Sequence, residues 1–234
     1  AKERLQGRAV GAEPGTQSPI IEHADVRRTL LTQKALIEAM RGPMYLNGRS
    51  IDLAKHHPDE AVRQEHAEIA DLYTPLSKAW GTDTGLECTS LGIQVHGGMG
   101  YIEETGVAQH YRDARIAPIY EGTNGIQAID LVGRKLLRDG GATVAAFVSD
   151  MRAVDAPLAN AGEELAVVRQ ALARALDDVV QCSTHILTGE RRDLVDGRLR
   201  AADRLTKPGS LLAGEIPLLF FHRLADAWQR LGRV

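Results

Sequence analysis

The stretch ELAVVRQALARALDDVVQCSTHILT, residues 164–188, carries Val168, Leu172, Leu176, Val179 and Ile186 at intervals of three, four or seven residues. That spacing stacks side chains on one face of a helix. Gly189 follows and is expected to terminate it. The same period recurs in DVRRTLLTQKALIEAM, residues 25–40, where Val26, Leu30, Ile37 and Met40 share a face and Asp25 is placed to cap. Clean alternation of apolar and polar residues, the mark of a half-buried strand, is nearly absent. The expected fold class is all-α.

Working outward, Gly42-Pro43 is expected to kink or end the helix begun at Asp25, because proline removes a donor and crowds the preceding turn. The segment resumes through Tyr45 to Lys55 and stops at His56-His57-Pro58. Asp59 can cap a helix from Glu60 to about Tyr73. Thr74-Pro75 then reads as a cap and first-turn pair opening a third helix that runs to Gly97 and Gly98. A further helix is expected from Thr123 or Asn124 to about Arg138, with Ile126, Ile129, Val132, Leu136 and Leu137 facing inward. Gly140-Gly141 marks the expected boundary between a domain of residues 1–139 and a second helical bundle of residues 142–234. In that bundle an Arg-rich stretch runs to Lys207-Pro208, and a last helix covers roughly Ser210 to Leu231.

The chain has 234 residues, enough for a sizeable core without disulfides or metal. Lys plus Arg number 28 against 31 Asp plus Glu, a net charge of −3, so no basic field draws nucleic acid or anionic membrane. Cys88 and Cys182 are too few for a disulfide scaffold and stand in no CxxC spacing. No apolar run reaches the roughly 18 residues that span a bilayer; IPLLFF is bounded by Glu215 and His222. The opening AKERLQGRAVG lacks an apolar signal region, which favours a cytoplasmic location. It also lacks Met and reads like the inside of a helix, so a piece of a longer chain is expected.

The densest chemistry lies in QVHGGMGYIEETGVAQHYRDARIAPIYEGTNGIQ, residues 94–127. Its glycines let backbone approach a ligand closely. A helix start after Gly122 offers unsatisfied N–H groups to an anionic group. Glu121, just before that start, either satisfies first-turn N–H groups or acts as a general base raised toward working pH by burial. His96 reads as a packed turn residue, since no second metal-type residue is spaced with it, and His56-His57 as a helix end. Arg112, Asp113 and Arg115 form either an ion-pair network or a site, and Glu103-Glu104 a solvated turn. The two cysteines fall on helical faces as small apolar residues. No metal site is expected.

The runs GIQVHGGMGY and YRDARIAPIYEGTNGIQ, with ERLQGR at the start and DVRRTLLTQKALIEAM after it, closely resemble the C-terminal helical domain of the acyl-CoA dehydrogenases. The resemblance covers residues 1 to about 138. The remainder resembles the extra C-terminal helical module of a bacterial subgroup that includes methylmercaptopropionyl-CoA dehydrogenases.

The resemblance implies an FAD-dependent oxidoreductase that desaturates acyl-CoA thioesters, and residue roles follow from it. Glu121, in the YEGT motif, corresponds to the base that removes the α-proton while the β-hydrogen leaves as hydride to flavin. Tyr120 and Gly122 line the thioester pocket. Thr123 and Asn124 lie where the family contacts flavin, and Gln94, Gly97 and Gly98 match a segment touching the adenine-diphosphate end of FAD. Arg4 matches an arginine that reaches a pyrophosphate across a dimer, although Leu5-Gln6-Gly7 departs from the usual aromatic-Gly sequel. Gly125 stands where many relatives have glutamine. The family further implies an electron-transferring flavoprotein as acceptor and a homo-oligomer, dimer or tetramer. It implies that this fragment alone is inactive and holds FAD weakly or not at all, because other domains supply most contacts. Alternatives are an acyl-CoA oxidase, an inactive scaffold, or a plain helical interaction module.

Overall fold

Asp59 begins the second of two long helices in the computed structural model, which describes residues 1–188. The Gly189 stop, the Arg-rich stretch and the expected helix at 210–231 lie outside the described residues. Helix α1 spans Ala24–His56 and α2 spans Glu60–His96. Six shorter helices follow: α3 Gly98–Tyr101, α4 Val107–Arg115, α5 Asn124–Asp130, α6 Ala142–Ala153, α7 Asp155–Ala161 and α8 Ala166–Thr188. The fold is all-α; among the described residues β-pairing is limited to one isolated bridge, Leu5 with Pro19.

That bridge corrects the reading of the opening as helical. Gln6 N–H donates to the Ser18 carbonyl at 3.0 Å, and Ser18 N–H donates to the Gly7 carbonyl at 2.9 Å. Gly7, Gly11 and Gly15 all take left-handed φ values, 65°, 87° and 86°, which a right-handed helix does not admit.

Neither proline ends a helix. Asp59 does cap α2, its Oδ1 accepting from Ala61 N–H at 2.9 Å. Yet α2 runs unbroken through Thr74-Pro75, and α1 through Gly42-Pro43. Each proline forfeits one intrahelical bond, a penalty of about 3 kcal/mol in a helix interior. Both are buried, and the apolar face around them outweighs the loss. The Thr74 hydroxyl, expected to cap, instead donates back to the Ala70 carbonyl at 2.7 Å.

The chain divides into two compact units. One comprises Ala1–Glu38 and Thr82–Ala117; the other comprises Ala39–Gly81 and the described residues from Pro118 to Thr188. In the second unit Met40, Leu72, Tyr73, Leu76 and Trp80 share a core with Leu131, Leu136, Phe147, Leu172, Leu176, Val179 and Ile186. Each fully buried aliphatic side chain there contributes about 1.5–3 kcal/mol. Tyr73 meets Phe147 edge to face, ring centres 6.0 Å apart. This core joins residues on both sides of Gly140-Gly141. Asp139 starts α6, its carboxylate accepting from the N–H groups of Gly141 and Thr143, each at 2.9 Å, and from the Thr143 hydroxyl.

After α5 the chain widens into a π-helical segment, Leu131–Leu136. Its wider turn shifts the buried face, so Ala128, Leu131 and Leu136 point inward. Ile126 and Ile129, expected inside, are half exposed, at 50% and 49%. Ile37 is likewise 49% exposed, and Leu36 takes the buried position beside Ala39 and Met40.

Candidate functional site

Residues 118–123 lead into α5 as a loop closed by the bond from Asn124 N–H to the Pro118 carbonyl at 3.1 Å. Within it Glu121 has φ 52°; among the described residues it is the non-glycine residue with positive φ. Gly122 follows at φ 88°. A left-handed conformation raises the energy of a non-glycine residue by about 1–2 kcal/mol. It persists where the surroundings over-determine it, and such residues cluster at functional sites. The tight reversal leaves the Glu121 carboxylate exposed instead of turned onto the first turn of α5.

Capping falls to another residue. The Thr123 hydroxyl oxygen accepts from Ile126 N–H at 3.3 Å. Asn124 is tied to α2 by its side chain: Lys78 Nζ donates to Asn124 Oδ1 at 2.9 Å, and Asn124 Nδ2 donates to the Ala79 carbonyl at 3.1 Å. A Cβ on Gly122 would come within 3.1 Å of Gln127 Nε2, so this glycine serves both conformation and space. Tyr120, next to Glu121 in the chain, is half exposed. No local pattern points to Lys78, because its partner lies 46 residues away.

The first unit gathers the other candidates. Arg4 Nη1 donates to the His96 carbonyl at 2.9 Å, bringing Arg4 onto the turn that carries Gly97 and Gly98. Gly97 has φ 63°, and nothing lies within 4 Å of a Cβ placed on Gly97 or Gly98, so this backbone is open to a close-approaching ligand. Gln94 lines a groove of about 730 Å³ with Ser90, Tyr101, Tyr111 and Arg112. Gly100, just beyond, is packed: a Cβ there would sit 2.5 Å from the Ile93 carbonyl oxygen.

Other polar residues of the motif region make local bonds. His96 Nδ1 is 2.9 Å from the Gly92 carbonyl, and His57 Nδ1 accepts from Asp59 N–H at 3.2 Å. Arg112 binds Gln109 and lies 3.7 Å from Glu103; Gln109 in turn donates to Asp113. Burial, then the Glu87 charge, pushes the Cys88 thiol up, away from thiolate chemistry. No cluster of metal ligands occurs among the described residues. No described helix is long and apolar enough to cross a membrane.

Residues 8–137 match the family model described as "Acyl-CoA dehydrogenase, C-terminal domain". The chain belongs to the acyl-CoA dehydrogenase family. It is 43% identical over 230 residues to the 3-methylmercaptopropionyl-CoA dehydrogenase of Ruegeria pomeroyi, covering 98% of this chain and 37% of that protein. It is 39% identical over 135 residues to a butyryl-CoA dehydrogenase of Syntrophomonas wolfei, covering 58% of this chain and 22% of that protein. A crystal structure of Caenorhabditis elegans ACDH-11 in complex with C11-CoA shares the fold, at TM-score 0.55 and 19% identity over 96% of this chain and 35% of that one. The chain thus spans little more than a third of the first of these curated relatives and about a fifth of the second.

Proposed function

We propose that this chain supplies the proton-abstracting part of an FAD-dependent acyl-CoA dehydrogenase that forms trans-2-enoyl-CoA. The observation that carries this reading is the left-handed Glu121, held in a strained turn with its carboxylate exposed while Thr123 does the capping. A carboxylate needed only for capping has no cause to sit in that conformation.

The Glu121 carboxylate takes the α-proton of the thioester. The electron pair of that C–H bond becomes the new C=C bond as the β-hydrogen departs with its own pair. Bound FAD would supply the hydride acceptor. An α-C–H is a weak acid, so the thioester oxygen needs donors that strengthen as enolate charge develops. By the family resemblance, the Glu121 backbone N–H would be one. Tyr120 and Gly122 flank the base and would line the thioester pocket. The acyl chain, once seated, would exclude water from the carboxylate and raise its affinity for the proton.

The residues of this chain fit a dinucleotide flavin. Arg4, Gln94, Gly97 and Gly98 would hold its adenine-diphosphate end, on the open backbone and groove described above. Thr123, whose hydroxyl oxygen caps α5, and Asn124, whose side chain is bonded to Lys78 and Ala79, would contact the flavin near the helix start. The substrate class is a saturated acyl-CoA, the chemistry common to the named relatives. Residues 1–139 and 142–234 would be the family domain and its added module. Further proposals are an electron-transferring flavoprotein as acceptor, homo-oligomeric assembly as a dimer or tetramer, and action in the cytoplasm.

The test is anaerobic mixing of the flavin-loaded natural polypeptide carrying these residues with saturated acyl-CoAs of graded length. Bleaching of the visible flavin band, lost in Glu121→Gln with flavin retained, is the expected result. Full bleaching in Glu121→Gln would overturn the assignment of the base.

A further inference from the structure

We propose that Lys78 is a positioning residue for Glu121, acting through Asn124; this rests on the reading of Glu121 as the proton acceptor. The Glu121 loop has two ends, Pro118 and Asn124, and they are bonded to each other by the Asn124 N–H. That closure shapes the loop but anchors it to nothing. The anchor is the Asn124 side chain, whose two polar atoms reach consecutive residues of α2: Oδ1 takes the Lys78 ammonium and Nδ2 the Ala79 carbonyl. Ala79 is 2% exposed and lies in the core, so this attachment point is rigid.

Lys78 has no carboxylate ion-pair partner among the described residues, and a neutral amide oxygen is its acceptor. A charged donor makes that bond shorter and stronger than a neutral one. It also fixes which amide atom faces which partner: with the oxygen committed to Lys78, the nitrogen is aimed at Ala79. Loss of the ammonium removes the charged donor on Oδ1 and weakens the hold of α2 on this side chain. The loop end then moves, and with it the strained Glu121 peptide, whose conformation depends on being over-determined.

The experiment compares Lys78→Met and Lys78→Arg in the flavin-loaded natural polypeptide. Expected for Lys78→Met are amide exchange across residues 119–125 faster by roughly tenfold, the scale of one lost net hydrogen bond, and a lower kcat per bound flavin with KM and flavin content unchanged. Lys78→Arg, which keeps a charged donor, is expected to restore most of both. Unchanged exchange in that segment, or a lowered melting temperature with kcat per flavin intact, would overturn the proposal and leave Lys78 a purely structural residue. If Lys78→Met does not fold, Lys78→Gln, which removes the charge but keeps a neutral donor, carries the same expectations at smaller size. The two readings separate cleanly. Activity surviving Glu121→Gln removes the base, whereas exchange across 119–125 reports on the anchor whatever the base is.

Discussion

Arg4 donates a hydrogen bond to the carbonyl of His96 at 2.9 Å, joining positions 92 residues apart. His96 directly precedes Gly97 and Gly98, whose backbone is open, and a pyrophosphate docking there would be met by the guanidinium's planar fork of donors. Arg4→Ala is expected to change stability by no more than about 0.5 kcal/mol, because the side chain is exposed. Flavin retention after gel filtration should fall, and Arg4→Lys should recover only part of it. Full retention in the alanine variant would separate Arg4 from the cofactor.

Glu121 sets function against backbone comfort. Glycine adopts φ 52° without the Cβ clash, so Glu121→Gly should leave the melting temperature unchanged or raise it. The same change should lower turnover by about 10²–10⁴-fold, the usual contribution of a positioned acid or base. A marked fall in melting temperature would show that the carboxylate holds the loop and is not merely tolerated in it.

Gly98 and Gly100 look alike in sequence and differ in space. A Cβ on Gly100 meets backbone, the Ile93 carbonyl oxygen at 2.5 Å, whereas a Cβ on Gly98 meets nothing within 4 Å. Gly100→Ala should therefore destabilise by about 1–3 kcal/mol, the scale of overpacking. Gly98→Ala should be neutral in chemical denaturation yet weaken flavin binding. Equal effects on stability would contradict the packing described.

Asp71 on α2 holds Lys135 at 2.6 Å and Arg138 at 2.9 Å. Burial pushes the Asp71 carboxyl up, but the bonds and charges of Lys135 and Arg138 together outweigh it and leave the pKa below 3.8. The folded state therefore binds the proton less readily than the unfolded chain. Stability from this group is fully present above pH 3.8 and is lost as pH falls through the lower folded value. Asp71→Asn should destabilise by about 1 kcal/mol near neutrality, a partly exposed pair being screened. The difference from wild type should vanish on acidification, as urea midpoints across pH would show. A constant difference would assign the effect to packing.

Residues 164–188 show how much of the helical scaffold was legible. Leu172, Leu176, Val179 and Ile186 are all buried in α8, as their spacing demanded. The Asp59 cap and the helix end at His56 were local signals and were read correctly. Proline was the misleading signal. At Pro43 and Pro75 the local penalty is real, but distant apolar partners decide the balance, and those partners are far away in sequence. Ile126 and Ile129 were misplaced for a related reason: a period of 3.6 fails once the chain widens into the π-helical turn at Leu131–Leu136.

The candidate residues were legible as a motif, and the family followed from it. What the sequence alone determined is the helical class, the apolar faces of the regular helices and the identity of the YEGT and HGG segments. These depend on residue type and near-neighbour spacing, which a linear chain displays. Only the tertiary structure decided that Glu121 is left-handed, that Asn124 is tied to Lys78 and Ala79, and that Arg4 rests on His96. Those bonds close across 45, 46 and 92 residues, and they depend on folding energy that no local window contains.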